Sequence, residues 1–355
     1  VTGVQTCALP ILMASYRKYL VVFAGIIAFS ANAADWQPLP ETAPAPADNP
    51  TTAAKVELGR MLFMDPRFSS TGTVSCNSCH NVMLGGEDNR PVSMGVHGKT
   101  GGRSAPTVWN SAFSSVQFWD GRAASLEEQA KGPVTNPIEM GMGELEEAMN
   151  RVRDIPGYKP YFEKAFGTDN PMTVDNAAKA VAAYERTLIT PNSPYDRYVK
   201  GDKKALTEQQ VRGMDSFASV GCTGCHSGPA FNGPAMAAGT GFYMKEPTFT
   251  DNDYVKQYKL TEDTGRFMVT NNEADKHLWK VPTLRNISIT APYFHNGAVP
   301  TLDEAVRVMA KVQLNQDLAD DQVADIVAFL DALTGEFPEQ PLPQLPPTPG
   351  RSIIK

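Results

Sequence analysis

The chain has 355 residues and carries 32 Lys and Arg against 39 Asp and Glu, for a net charge of −7 and a pI near 5.4. An acidic balance of this kind argues against nucleic-acid binding, and the length leaves room for two domains of ordinary size. Four of the five cysteines fall in two pentapeptides, so no cysteine outside the first twelve residues is left over for a structural disulfide.

Residues 1–12 precede Met13 and contain the fifth cysteine, Cys7; they read as a non-native leader. From Met13 the pattern is that of a secretory signal peptide, with Arg17 and Lys18, an apolar stretch from Tyr19 to Ala31, and Ala31-Asn32-Ala33 as a small-x-small cleavage site after Ala33. The expected compartment is the bacterial periplasm. Residues 34–50, rich in Pro and Ala, read as an extended linker. Helical patterning begins near Thr51, where Val56, Leu58, Met61 and Leu62 lead toward Cys76-Asn-Ser-Cys-His80.

That pentapeptide has a mechanical logic. Two thiols separated by two residues can each form a thioether to one porphyrin vinyl group, which brings the next residue's imidazole under the iron. A four-cysteine zinc site is the competing reading, but zinc does not require a histidine directly after both pairs. Beyond the motif, residues 85–102 are rich in glycine and hold His97. Glycine backbone changes conformation at little steric cost, so a ligand carried there can be released; the plain alternative is an exposed loop histidine.

Leu145 to Phe166 and Val174 to Leu188 read as helices, broken by Pro156 and ended by Pro191, and Thr190-Pro-Asn-Ser-Pro194 reads as the domain boundary. Thr207 and Gln210 form a capping-box pattern, after which Val211, Met214 and Phe217 run up to the second pentapeptide, Cys222-Thr-Gly-Cys-His226. Helix followed by Cys-x-x-Cys-His is thus an internal repeat, one unit per haem. His97, His277 and His295 remain for sixth positions, together with a thioether from Met309, Met214, Met236, Met244 or Met268. Met309 shares a helical face with Leu302, Ala305 and Val306 and, on the residues alone, reads as core ahead of ligand.

The last helix places Val323, Ile326, Val327, Leu330 and Leu333 on one face, with Gly335 as its stop. In cytochrome c domains a closing helix of this kind packs on the opening one. The predicted fold is mainly α: two cytochrome c-like domains, residues 51–192 and 193–336, each with one covalent c-type haem and long irregular loops. A proline-rich tail, residues 337–355, extends along the surface.

A series of further motifs surrounds the two pentapeptides in order: Met64-Asp-Pro-Arg-Phe68, Arg103-Ser-Ala-Pro-Thr107, Gln117-Phe-Trp-Asp-Gly-Arg122, Gln129-Ala-Lys-Gly-Pro133, Pro137-Ile-Glu-Met140, Leu188-Ile-Thr-Pro191 and Pro292-Tyr-Phe-His-Asn-Gly297. From about Lys55 to Gly335 the chain resembles the bacterial dihaem cytochrome c peroxidase family. The resemblance implies reduction of hydrogen peroxide to water, with electrons from a small periplasmic cytochrome c or cupredoxin, and a homodimer. It implies two covalent haems c. The first is peroxidatic, with His80 proximal and His97 as the displaceable ligand; the second admits electrons, with His226 and Met309 as axial ligands. It assigns Glu139 as the acid/base carboxylate, Gln129 as its polar neighbour and Trp119 to the space between haems, and places His295 near the second haem.

The resemblance also implies a calcium ion between the domains, at Ser104 and at the carbonyls of Thr290 and Pro292. The chain departs from the family pattern twice: Val96 separates Ser93-Met-Gly95 from His97, and Ser104 stands where asparagine is usual. Two other functions suit two haems: a non-catalytic dihaem electron carrier, or an enzyme that oxidises a partner protein, whose representatives carry tyrosine where this chain has Met309.

Overall fold

The structure, a computed structural model, describes residues 36–354; the leader, the signal peptide and the start of the linker lie outside the described residues. Seven helices of eight or more residues carry the architecture. They are α1 (Ala53–Met64), α2 (Leu145–Arg153), α3 (Lys159–Phe166), α4 (Val174–Glu185), α5 (Glu208–Val220), α6 (Leu302–Leu314) and α7 (Asp320–Asp331). The one sheet among the described residues is an antiparallel pair, β1 (Tyr243–Lys245) with β2 (Leu278–Lys280). This matches the mainly α expectation. No described helix is long and apolar enough to cross a membrane.

Local chemistry sets the helix ends. The Thr52 hydroxyl accepts from the Lys55 amide at the start of α1, and the Thr207–Gln210 box closes reciprocally at 3.2 and 2.9 Å at the start of α5. Pro156 separates α2 from α3 through a single 3-10 turn that buries Tyr158, whose hydroxyl donates to Asp65 Oδ2 at 2.7 Å. Helix α4 stops at Glu185, short of Leu188, because the amides of Thr187 and Leu188 bond three residues back and tighten the last turn. Gly335 is not a helix stop: α7 ends at Asp331, and Gly335 lies where the chain passes Thr190 so closely that a Cβ would sit 1.8 Å from its carbonyl oxygen.

The internal repeat extends to the packing. In the first half α1 crosses α4 at Gly59, where a Cβ would lie 1.9 Å from Ala180 O, and one turn on Phe63 meets Tyr184 edge-on at 5.4 Å. In the second half α5 crosses α7 at Gly213, where a Cβ would lie 1.8 Å from Asp325 O, and one turn on Phe217 meets Phe329 at 5.4 Å. The expected contact of the closing helix with an opening helix is therefore present, and it occurs twice. Around these crossings Leu58, Phe63, Trp109 and Tyr184 belong to one buried core, and Tyr195, Phe217, Phe231 and Phe329 to another.

The ends of the described chain pack on opposite halves. Trp36 lies against Tyr195, Phe231 and Phe329, and the Leu39 amide donates to buried Asp196 at 2.8 Å, so the extended linker is anchored on the second core. The tail runs back over the first. Phe337 packs on Trp109, Arg67 donates to Pro346 O at 2.8 Å, and Ile353 is buried in the first core.

A methyl group at the α5–α7 crossing must push two backbones apart. Gly213→Ala is expected to destabilise the protein by about 3 kcal/mol, whereas Gly102→Ala, which meets no atom within 4 Å, stays near the parent. Thermal melts of the two variants check this.

Candidate functional site

Each pentapeptide bends its chain so that both sulfurs and the imidazole share one wall. Cys76–Cys79 is a single helical turn and Cys222–Gly224 a 3-10 turn; in both, the histidine amide returns to the first cysteine's carbonyl at 2.9 Å. Cys76, Cys79 and His80 line one cavity, and Cys222, Cys225 and His226 line another. His80 Nδ1 donates to Pro106 O and His226 Nδ1 to Phe231 O, each at 3.0 Å. A carbonyl can only accept, so the proton sits on Nδ1 and Nε2 keeps its lone pair for a metal. Burial lowers the pKa of both rings, which holds them neutral.

These features fit haem. The four thiols form no disulfide, and burial pushes those of Cys76 and Cys222 up to about 12. The two pairs line different cavities, and the described residues contain no cluster of three or more His, Cys, Asp or Glu able to hold a metal ion, which removes the zinc reading. Buried polar atoms without partners also face the second cavity: Glu246 Oε1 and His295 Nε2.

The cavities meet at a seam with internal twofold character. Gln117-Phe-Trp-Asp-Gly121 and Tyr293-Phe-His-Asn-Gly297 share one backbone trace: Phe118 and Phe294 have φ of 68° and 69°, Gly121 and Gly297 of 65° and 61°, and each segment closes with an antiparallel bridge. Trp119 and His295 are equivalent positions. The Ser104 amide donates to His295 O at 2.8 Å, and in the matching place the Lys280 amide donates to Trp119 O at 2.9 Å. Trp119 also donates from Nε1 to Ser104 O at 2.9 Å and lines both cavities. Behind the seam, Asn110 and Asn286 converge on the buried Thr190 hydroxyl.

The first cavity also holds Gln129 and Glu139. Asn136 Nδ2 donates to Glu139 Oε1 at 2.6 Å; burial raises this carboxyl's pKa, against the opposing pull of Arg122 and Asn136. The glycine-rich loop is clamped to this segment: Val96 N donates to Glu139 O at 2.9 Å, and a Cβ on Gly95 would lie 2.0 Å from Ile138 O. His97 follows directly with a φ of 57°, and the structure leaves it exposed, outside the first cavity.

Met309 and Met244 line the second cavity, as do His295, Ser104, Thr290 and Pro292; Met214, Met236, Met268 and His277 line neither. His295 is buried and stacks on Trp279 at 4.1 Å. Sequence reasoning passed over three ionisable groups, the buried Glu185 and Glu87 and the half-buried Lys280. Glu185 lines the first cavity, Lys280 the second, and Glu87, beside Ser104 on the second wall, is only 2% exposed. Burial pushes Glu185 up to about 8, Glu87 up to about 7 and Lys280 down to about 8. The repeat offered a signal for Lys280, which occupies the position matching Ser104; nothing in the sequence marks the two acids.

A sequence model described as di-haem cytochrome c peroxidase matches residues 53–204, and one described as RoxA-like, cytochrome c-like matches residues 279–312. The cytochrome c551 peroxidase of Nitrosomonas europaea is 45% identical over 86% of this chain and 87% of its own length. The chain belongs to the di-haem cytochrome c peroxidase family. The Pseudomonas aeruginosa cytochrome c551 peroxidase is 43% identical, covering 88% of this chain and 87% of its own. Methylamine utilization protein MauG of Methylorubrum extorquens is 34% identical over 86% of both chains. Among solved structures, a MauG-like protein associated with microbial copper homeostasis aligns with a TM-score of 0.73 at 29% identity, covering 87% of this chain and 96% of that one. Family membership makes haem c the implied cofactor and agrees with the lining of both cavities.

The raised Glu185 has a consequence for stability. Its carboxyl ionises near 4.5 when unfolded and near 8 when folded, so between these values the unfolded state releases a proton that the folded state keeps. Stability attributable to this group is complete below the lower value and declines as pH rises through the window. Glu185→Gln removes the decline, and its stability relative to the parent should grow by a few kcal/mol from about pH 4.5 to about pH 8. Urea melts across this range measure it; a pH-independent difference contradicts it.

Proposed function

We propose that this protein is a periplasmic dihaem cytochrome c peroxidase that reduces hydrogen peroxide to two waters with two electrons and two protons. The observation that carries this reading is the pairing of two Cys-x-x-Cys-His cavities, one of which contains Glu139 and Gln129, across a seam where Trp119 lines both. The proposed domains are residues 51–192 and 193–336, each with one thioether-linked haem c, through Cys76 and Cys79 and through Cys222 and Cys225. Bound there, the haems supply iron that accepts and passes single electrons and, where a coordination position opens, binds peroxide.

The residues divide the work. His80 and His226 would hold the irons through Nε2, each oriented by a carbonyl on Nδ1. Met309, on the wall of the electron-entry cavity, would supply a thioether ligand, which would favour the reduced state and suit a centre loaded by a small cytochrome c or cupredoxin. Met309 also favours peroxide reduction over partner-protein oxidation, since the enzymes of that second kind carry tyrosine there. His97 serves as the releasable ligand of the first haem. Its exposure, on a loop clamped at Gly95 and Val96, suits an arrangement in which peroxide has access, and ligation requires the loop to turn inward.

Glu139 is placed to take a proton from one peroxide oxygen and return it to the other, so that the departing oxygen leaves as water; the haems would supply the two electrons that break the O–O bond, and two further protons complete the second water. The Asn136 amide favours the ionised carboxylate against the raising effect of burial, and Gln129 positions the substrate. Trp119 relays electrons between the cavities. A calcium ion held in part by the carbonyls of Thr290 and Pro292, and a homodimer, complete the proposed assembly.

Glu139→Gln is expected to keep both haems, by pyridine haemochrome assay, while peroxide turnover falls about 10²–10³-fold. In the parent, turnover should decline as pH falls through the raised pKa of Glu139, because the base is then protonated. Undiminished turnover in the variant removes Glu139 from the reaction.

A further inference from the structure

Glu87 is a carboxyl at 2% exposure on the wall of the second cavity, which it shares with Ser104, Thr290 and Pro292. A buried carboxylate calls for a counter-charge, yet among the described residues no cation acts on it, and the one charge that does is another acid, Asp88. Its side-chain contact is Asn89, whose Nδ2 donates to Glu87 Oε1 at 2.7 Å and also reaches Ala291 O at 3.1 Å and Ile289 O at 3.3 Å. One amide therefore ties this carboxyl to the backbone that flanks Thr290. The carbonyls of Thr290 and Pro292 themselves accept no hydrogen bond among the described residues.

Ser104 is poorly equipped as a ligand. Its carbonyl already accepts from Trp119 Nε1 and its amide is committed to His295 O, which leaves only a short, uncharged hydroxyl. Calcium takes hard oxygen ligands, and its affinity is tuned by how many of them carry charge. Two neutral carbonyls and a serine hydroxyl give a weak site; two carbonyls and a buried carboxylate give a strong one.

We propose that Glu87, rather than Ser104, is the side-chain ligand of the calcium ion, joining the first half of the chain to the Thr290 and Pro292 carbonyls of the second. The assignment rests on the calcium reading above and goes beyond it by naming the charged ligand. It gives the ion a structural task, since Glu87 lies in the segment between His80 and the glycine-rich loop and the carbonyls lie just before His295. The ion neutralises the buried carboxylate and pins the two segments together beside the seam.

The test is isothermal titration of chelator-treated holoprotein with calcium chloride alone. The parent is expected to bind one calcium per chain, and Glu87→Gln to bind about 100-fold more weakly, with its Soret spectrum unchanged. Glu87→Asp keeps the charge and should bind more tightly than Glu87→Gln; equal affinities for these two overturn the assignment even where both melt lower than the parent. A parent that binds no calcium overturns the calcium reading and the ligand with it. A parent that binds, beside a Glu87→Gln variant of the same affinity, overturns Glu87 alone.

Discussion

Two backbone hydrogen bonds, Ser104 N to His295 O and Lys280 N to Trp119 O, hold the rest of the site in place. Each contributes on the order of 1 kcal/mol net, but an amide left unpaired at a closed interface costs more than the bond returns, so the pair is specified rather than incidental. The bonds are related by the internal repeat, and they fix the register of Trp119 against Ser104 and of His295 against Lys280. With that register set, the two cavities share a wall, Trp119 belongs to both, and the asparagines behind the seam meet on one threonine hydroxyl. A slip of either segment would separate the haem sites without disturbing either helical core.

Burial distinguishes the ionisable groups around this seam. Glu139 and Glu185 both face the first cavity, but Glu139 has an amide donor and a nearby arginine that favour its charged form, whereas Glu185 Oε2 has no partner and its carboxyl is neutral at pH 7. One carboxyl is equipped to take a proton and the other to keep one. On the second wall Lys280 and Glu87 are pushed toward their neutral forms by the same desolvation. Two close-packed helical cores carry the cost of holding these groups in a water-poor seam. Their crossings at Gly59 and Gly213 let backbone meet backbone, and the aromatic pair one turn further on makes each crossing rigid.

Much of this was legible in the chain. The pentapeptides gave the cofactor chemistry, the Thr207–Gln210 box marked a helix start to the residue, and Pro156 separated two helices where it was read to. Other features depend on contacts that no local pattern encodes. Gly335 looks like a helix terminator, but its role follows from the distant carbonyl of Thr190. The segment after Trp36 and the tail after Phe337 read as loose proline-rich ends, yet each packs an aromatic ring against the opposite half. His97 lies in the mobile-looking loop where the sequence puts it, but its exposure depends on the backbone clamp between Val96 and Glu139. Glu87 and Glu185 were invisible because an acid's burial is a property of the completed fold.

The central claim is that the shared wall at Trp119 lets one cavity feed electrons to the other. The most direct measurement is steady-state peroxide turnover with a reduced monohaem cytochrome c as donor, comparing parent and Trp119→Phe holoproteins of equal haem content, alongside cyanide binding at the oxidised first haem of the half-reduced protein. The account predicts that turnover falls by about tenfold or more, some 1.4 kcal/mol in the barrier, while cyanide binding is unchanged. Equal turnover in the two proteins would contradict it, because electrons would then cross the seam by a route that does not need the indole.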